Sequence, residues 1–174
     1  MFEKLKYKIA EKSVEKSCRK LADPETDFNK FFTKSNKILM IIPTLQEDAD
    51  KIDEVYQFLV EKKKSIKLLR IASVKISMLN TTEIINLKEH DYNWLNLPKR
   101  EFLDQFRSEL FDITIDLETK ENLISGYLTK QSNSNYKVGF KKEKSDLYYN
   151  FQISNSSINS EISYRNLLNS LLMF

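Results

Sequence analysis

The feature that most constrains the fold is a short run, Lys37 to Ile42, that is apolar on both faces. A strand of this kind belongs inside a parallel sheet covered by helices on each side, because such a sheet buries both of its surfaces. Pro43 ends the run, since proline supplies no N–H to a sheet ladder. The sequence therefore predicts a buried central strand over Lys37 to Ile42.

Helix and strand patterns alternate after this strand. Residues 52 to 60 carry apolar side chains at helical spacing, and Ile66 to Val74 supplies a second strand pattern. Strand, helix and strand in succession form a βαβ unit. The elements predicted further along are a short strand at Glu83 to Leu87, a helix after Pro98 whose apolar face includes Phe102 and Leu110, a strand at Phe111 to Leu117, a short helix at 123 to 128, strands at Tyr136 to Phe140 and Leu147 to Ile153, and a closing helix over residues 159 to 173.

This alternation predicts one α/β domain with a Rossmann-like, three-layer architecture. Its sheet is expected to be mostly parallel, with about five or six strands flanked by helices. A chain of 174 residues has the length of one such domain. We predict that residues 36–174 form the domain, that residues 1–23 form an additional N-terminal amphipathic helix ended by Pro24, and that Asp23 to Asn36 is a connector.

The composition excludes several kinds of site. The two glycines, Gly126 and Gly139, lie too far apart for a G-x-G-x-x-G turn or a P-loop. With one histidine and one cysteine the chain has no H-E-x-x-H motif and no thiolate zinc site. We therefore expect no cofactor and no metal. His90 is interpreted as a solvated loop residue rather than a catalytic one, and Cys18 as a packed thiol.

Charge and hydropathy bear on location. The chain has 28 Lys and Arg against 25 Asp and Glu, an interspersed balance that is typical of an ordinary surface. The longest apolar run, Ile38 to Ile42, is far shorter than the roughly 20 residues that span a bilayer. We expect no integral membrane segment and no secretory or transit signal. A single cysteine suits a reducing compartment, so the predicted location is cytoplasmic.

The candidate catalytic residues are Asp116 and Asp48. Asp116 falls at the carboxyl end of a predicted strand, where open α/β sheets place their ligand crevice, and Asp112, predicted on the same strand face, could accompany it. The alternative is that Asp116 caps the following helix. Asp48 follows the first strand at the same edge, although Thr44 and Glu47 have the spacing of a capping box, which explains this segment structurally.

The N-terminal segment, residues 1–22, mixes seven basic residues with three glutamates. Such a helix could dock on an anionic membrane surface or on nucleic acid. The alternative, which we favour, is that its apolar stripe packs on the domain; the stripe consists of Tyr7, Ala10, Val14, Cys18 and Leu21. Near the other end of the chain, Tyr148, Tyr149 and Phe151 could stack on single-stranded bases, but core packing is the better interpretation.

Three segments carry a resemblance to known families. Ile38 to Pro43, Phe111 to Leu117 and Tyr136 to Phe140 resemble the N-terminal half of heptosyltransferase-like (family 9) glycosyltransferases. Over residues 36 to 172 the chain is also similar to a family of short, uncharacterised bacterial proteins with an F-D-x-x-I-D-L strand, a K-V-G strand and a tyrosine-rich strand. The resemblance implies a Rossmann-like fold. The glycosyltransferases have a glycine-aspartate turn after the first strand and a second, nucleotide-sugar-binding domain, whereas this chain has no glycine there and is too short for two domains; Asp48 stands near the position of the turn aspartate.

Three functional hypotheses follow. The leading one is a non-catalytic, glycosyltransferase-like module that binds a protein partner of unknown identity. The second is a small transferase or hydrolase that uses Asp116 and Asp48 and is completed by a partner chain or by dimerisation. The third is peripheral attachment to an anionic membrane surface or nucleic acid through residues 1–22.

Overall fold

The computed structural model describes residues 2–22, 25–77, 82–154 and 159–174. Its helices are α1 (Phe2–Arg19), α2 (Phe31–Lys34), α3 (Gln46–Ala49), α4 (Asp53–Glu61), α5 (Arg100–Ser108), α6 (Leu123–Gln131) and α7 (Ser160–Leu171). Its strands are β1 (Lys37–Ile41), β2 (Ser65–Arg70), β3 (Glu83–Asn86), β4 (Leu110–Asp116), β5 (Asn133–Phe140) and β6 (Phe151–Ile153). Pro24, which was predicted to end the first helix, lies outside the described residues.

The strands form one six-stranded sheet in the order β3-β2-β1-β4-β5-β6, and every neighbouring pair is parallel. This is the strand order of dinucleotide-binding Rossmann folds, in which the chain moves outward on one side of β1 and then returns to build the other half. The predicted α/β class and the central position of the Lys37 strand are both confirmed, as is the short third strand.

The two faces of the sheet carry separate hydrophobic cores. In the first core, Ile38 and Met40 of β1 pack with buried residues of α4 and α7. In the second core, Leu39 and Ile41 pack with residues of α1, α5 and α6. All four side chains are fully buried, which explains why the β1 sequence is apolar without alternation.

Helix α1 lies on the domain and contributes to the second core. Ala10, Val14 and Cys18 are buried there, so Cys18 is a packed thiol as expected. Tyr7 and Leu21, the other members of the predicted stripe, are exposed. The helix therefore covers the sheet through three small side chains, which allow a close approach.

Several boundaries differ from the sequence prediction. The expected connector contains the helical turn α2, because Phe31 and Phe32 are buried in the first core. The second strand ends at Arg70 rather than at position 74. Leu110, expected on the apolar face of a helix, begins β4 and is 67% exposed. The strand predicted to start at Tyr136 begins at Asn133 instead, and its Ser134 is buried against Thr114.

Apolar and polar residues alternate in the sequence over Phe111 to Leu117 and Leu147 to Ile153, which predicts that the apolar residues of each strand share one face, and the structure shows this only in part. In β4, Phe111 packs in the second core, whereas Ile113 and Ile115 pack in the first. The strand predicted over Leu147 to Ile153 is limited to β6, because a 3₁₀ turn occupies Ser145–Leu147. This turn places Tyr149 in the second core, whereas Phe151 packs against the first, so the two rings do not share a face.

Candidate functional site

The carboxyl ends of β1 and β4 lie side by side at the point where the strand order reverses. Ile41 is paired with Asp116 in the sheet register, and the Leu117 N–H donates to the Ile41 carbonyl over 3.1 Å. Open α/β sheets bind ligands at this point, because the two following loops diverge to opposite faces and leave a crevice between them. We call this region the switch-point edge.

Asp116 is the last residue of β4 and is completely buried, with 0% of its surface exposed. The Tyr149 hydroxyl donates to Oδ2 over 2.7 Å, and the Glu118 N–H donates to Oδ1 over 3.0 Å. Both carboxylate oxygens are therefore bound by the protein itself. The capping alternative is wrong, since Asn122 caps α6 by accepting from the N–H groups of Ile124 and Ser125.

Glu118 connects the loops that follow β1 and β4. One of its oxygens, Oε2, accepts from the Thr44 N–H at 2.9 Å, from the Thr44 hydroxyl at 2.8 Å and from the Asn122 side-chain amide at 3.3 Å. The side chain is only 2% exposed. Burial raises the pKa of Glu118 above its ordinary value, and the hydrogen bonds from Thr44 oppose that shift.

The capping box expected from Thr44 and Glu47 is wrong. Helix α3 has Leu45 at its N-cap and no capping side chain. Thr44 has capping-box spacing, but both its N–H and its hydroxyl are engaged by Glu118, which comes from a different loop. In a capping box the Thr44 N–H would donate to the Glu47 carboxylate, whereas here it donates to the buried Glu118 carboxylate, so the tertiary contact replaces the local one.

Lys142 is a cation next to this edge. Its ammonium donates to the Glu118 carbonyl over 2.8 Å and lies 5.3 Å from the centre of the Tyr149 ring. Burial raises the pKa of the Tyr149 hydroxyl well above its ordinary value, and the charge of Asp116 adds to that effect. Tyr149 therefore stays protonated and serves as a hydrogen-bond donor.

Asp48 lies in α3 and is 8% exposed, with the Thr119 hydroxyl 3.4 Å from its Oδ2. Tyr164 lies in the same region, since its hydroxyl donates to the Leu117 carbonyl over 3.1 Å. Burial raises the pKa of Tyr164, and the charges of Asp48, Glu118 and Asp116 add to the shift. Both candidate aspartates thus belong to the switch-point edge.

Asp112 and His90 lie elsewhere. The Asp112 carboxylate accepts from the N–H groups of Asn36 and Lys37, at 2.7 and 2.8 Å, at the amino end of β1. The expectation that it accompanies Asp116 is therefore wrong, because the two acids lie at opposite ends of β4. His90 is an exposed residue in a 3₁₀ turn, 3.3 Å from Asp91, as expected of a solvated loop histidine.

Each of the two glycines leaves space for a tyrosine ring, not for a phosphate. A Cβ atom at Gly139 would lie 2.6 Å from ring carbons of Tyr149, and one at Gly126 would lie 2.5 Å from the ring of Tyr148. Neither glycine has a positive φ. Glycine is present at these positions because a buried tyrosine ring occupies the space of a side chain.

Within the described ranges, no three His, Cys, Asp or Glu side chains are grouped so that they could hold a metal ion. Nor does any helix in the part of the chain that the structure describes have the length and apolar character to cross a membrane. Chemically, the switch-point edge is a set of buried carboxylates whose observed hydrogen bonds fasten the loops after β1 and β4 to each other.

The comparisons with known proteins give a family. A family model described as a family of unknown function, DUF6913, matches residues 6–171. The chain belongs to the DUF6913 family. The match runs from α1 to α7, so the N-terminal helix is included in it. No curated protein and no solved structure matches this DUF6913 chain. The match says nothing of heptosyltransferase-like enzymes, and that resemblance stays a prediction.

Sequence reasoning missed Glu118, Tyr164 and Lys142 at the switch-point edge. Glu118 had a usable signal, because it follows Asp116 by two residues and so continues the polar positions of the strand pattern. Lys142 and Tyr164 had none, since each approaches through the tertiary fold from a distant segment.

Proposed function

We propose that this DUF6913 domain is a non-catalytic module that acts through its surface, as an interaction or accessory domain. The main observation in favour of this proposal is that Asp116 is fully buried and that both of its carboxylate oxygens accept hydrogen bonds, one from the Tyr149 hydroxyl and one from the Glu118 N–H. A general base or nucleophile must reach the substrate directly or through one water. Asp116 has no such access while Tyr149 stays in place.

In ligand-binding Rossmann folds, the crevice is lined by a glycine-rich turn that brings backbone N–H groups to a phosphate. Here the corresponding loop starts with Pro43 and Thr44, and the Thr44 N–H is already bonded to Glu118. A carboxylate at this position also repels an anionic ligand. These contacts support a module without nucleotide-sugar chemistry.

The enzymatic alternative, with Asp116 and Asp48 as catalytic residues, requires the switch-point edge to open. Opening would break the Tyr149–Asp116 and Thr44–Glu118 hydrogen bonds and expose buried carboxylates. Charge-assisted hydrogen bonds of this kind are worth about 1.5–3 kcal/mol each. We therefore favour the non-catalytic function. A single cysteine suits a reducing compartment, so we propose a cytoplasmic location for the module.

The test is a titration of the full chain with ATP, ADP-glucose and UDP-glucose, followed by calorimetry and by thermal unfolding. A nucleotide present at about 100 times its dissociation constant would stabilise the fold by about 2.7 kcal/mol. We expect no heat of binding and no rise in Tm. Binding of any of these ligands to the natural chain, with loss of binding in Asp116→Asn, would refute the proposal and favour the enzymatic alternative.

A further inference from the structure

Helix α1 has two opposite faces that differ in burial. The inward face consists of Ala10, Val14 and Cys18, which pack in the second core. At about 100° per residue, the opposite side of the helix points away from the domain. The large apolar side chains on that outward side are Phe2 (70% exposed), Leu5 (57% exposed) and Ile9 (41% exposed).

Basic side chains share the outward side. Those exposed on this side are Lys8, Lys12, Lys16 and Arg19. Lys8, Lys12 and Lys16 follow one another at four-residue steps, so they form a row along the axis next to Leu5 and Ile9. We call this surface, formed by the three apolar and four basic side chains just named, the outer face of α1.

Of the glutamates of α1, Glu15 also interacts with Lys12 and Arg19, but both Glu11 and Glu15 are paired with a lysine from another segment. Lys144, from the segment before β6, lies 2.6 Å from the Glu11 carboxylate and 2.8 Å from that of Glu15. The hydrogen bond from Lys144 lowers the pKa of Glu15, so that carboxylate stays charged and paired. Glu3 lines a cavity of about 330 Å³ between α1 and the start of α6, together with Lys6 and Tyr7.

This sorting of charges leaves a cationic surface that also carries apolar side chains. An anionic lipid bilayer offers favourable sites to both, since basic groups meet lipid headgroups while Phe, Leu and Ile enter the acyl boundary. A nucleic-acid backbone would attract the lysines but would gain little from aliphatic side chains. The combination therefore favours a lipid surface.

We propose that the outer face of α1 docks the domain on an anionic lipid bilayer, with the helix axis in the plane of the interface. This inference rests on the proposed function, because it names the surface that a non-catalytic module would use. Docking requires no unfolding of α1, whose inward face stays in the core. Deleting the helix would expose that core, so the test uses substitutions at exposed positions.

The experiment is co-sedimentation of the full chain with vesicles. One set is phosphatidylcholine with about one-third phosphatidylserine, and the other is phosphatidylcholine alone. We expect binding to the first set only, and weaker binding when salt is raised from ~0.1 M to ~0.5 M, because the surface charges are then screened. Lack of binding to the anionic vesicles at low salt would overturn the proposal.

Charge reversal tests the basic row. Each basic side chain near an anionic membrane contributes about 1 kcal/mol, so Lys8→Glu/Lys12→Glu should weaken binding by at least about thirtyfold. The matched control is Lys34→Glu/Lys75→Glu, which changes the net charge equally at two exposed lysines outside α1. We expect the control to bind nearly as the natural chain does. An equal loss in both variants would show non-specific attraction and would overturn the proposal.

Removal of the apolar side chains separates lipid from nucleic acid. Leu5→Ser/Ile9→Ser should weaken vesicle binding by about tenfold, because less apolar area enters the interface. Unchanged vesicle binding in this variant, or tighter binding of the natural chain to duplex DNA than to anionic vesicles, would overturn the lipid assignment. Circular dichroism checks that every variant is folded. If the chain does not bind vesicles, lipid docking is refuted, but the closed switch-point edge and the non-catalytic function are unaffected. If the chain binds a nucleotide sugar, the non-catalytic function is refuted, whereas the vesicle experiment still decides lipid docking.

Discussion

Gly139 provides a sharp test of how the switch-point edge is packed. Its position in β5 lies under the ring of Tyr149, and an added Cβ would be 2.6 Å from two ring carbons, far inside van der Waals contact. The ring cannot retreat freely, because it is buried and its hydroxyl is hydrogen-bonded to Asp116 over 2.7 Å. Gly139→Ala therefore forces the ring to move or the strand to shift.

Three contributions determine how much Gly139→Ala changes the free energy of unfolding. Overpacking a core costs about 1–3 kcal/mol, and a weakened hydrogen bond to a buried carboxylate costs about 1.5–3 kcal/mol. Against these, alanine is more favourable than glycine in a strand by about 0.5–1 kcal/mol. We expect Gly139→Ala to lower the free energy of unfolding by about 3 kcal/mol, which corresponds to a Tm about 6–12 °C lower in a domain of this size.

The assay is urea unfolding followed by circular dichroism for a double-mutant cycle. Tyr149→Leu removes the far ring atoms that the new methyl group would meet, while an apolar side chain remains in place. In that background Gly139→Ala should be neutral or stabilising by about 0.5 kcal/mol. An equal cost of Gly139→Ala in both backgrounds, or no cost in the natural one, would refute the packing described for Tyr149.

Three further substitutions address the same region. Tyr149→Phe removes the donor to Asp116 and should cost about 1.5–3 kcal/mol in urea unfolding; a loss below about 0.5 kcal/mol would mean that the bond contributes little. Because burial raises the pKa of Glu118, its stabilising effect is present at low pH, below the unfolded-state pKa, and is lost as pH rises through the folded-state pKa. The free-energy difference between the natural chain and Glu118→Gln should therefore shift against the natural chain as pH rises through that window, and a difference constant with pH contradicts this. Gly126→Ala should destabilise α6 instead of giving the usual gain of about 1 kcal/mol, since its Cβ would meet the Tyr148 ring; a higher Tm would show that the ring moves aside.

Local patterns were enough to predict the core of the sheet. The run at Lys37 to Ile42 is apolar because both faces of β1 are covered, and this property is visible in the sequence alone. The short strand β3 was also predictable from its own residues. Such elements can be predicted because burial on a regular strand repeats with a fixed period.

Elements whose geometry depends on distant partners could not be predicted in the same way. Tyr149 and Phe151 have the spacing of one strand face, but the 3₁₀ turn before them and their different cores place them on opposite sides. The helical turn at Phe31 exists because two rings enter the first core, and no local signal distinguished it from a connector.

The position of the candidate site could be predicted from the sequence, but the burial and the hydrogen bonds of its residues could not. Asp116 could be placed at the carboxyl edge from the pattern of β4 alone. Its burial depends on Tyr149, which comes from the segment before the last strand. Likewise, the capping-box spacing of Thr44 is real in the sequence, but its partner Glu118 is brought close only by the pairing of β1 with β4.

The position of Glu118 has an evolutionary consequence. A single side chain holds the backbone and hydroxyl of Thr44 as well as the amide of Asn122. An aliphatic residue at position 118 would remove all three of these hydrogen bonds in one step. A family member with that replacement is where a vestigial or newly acquired small-molecule pocket should be sought.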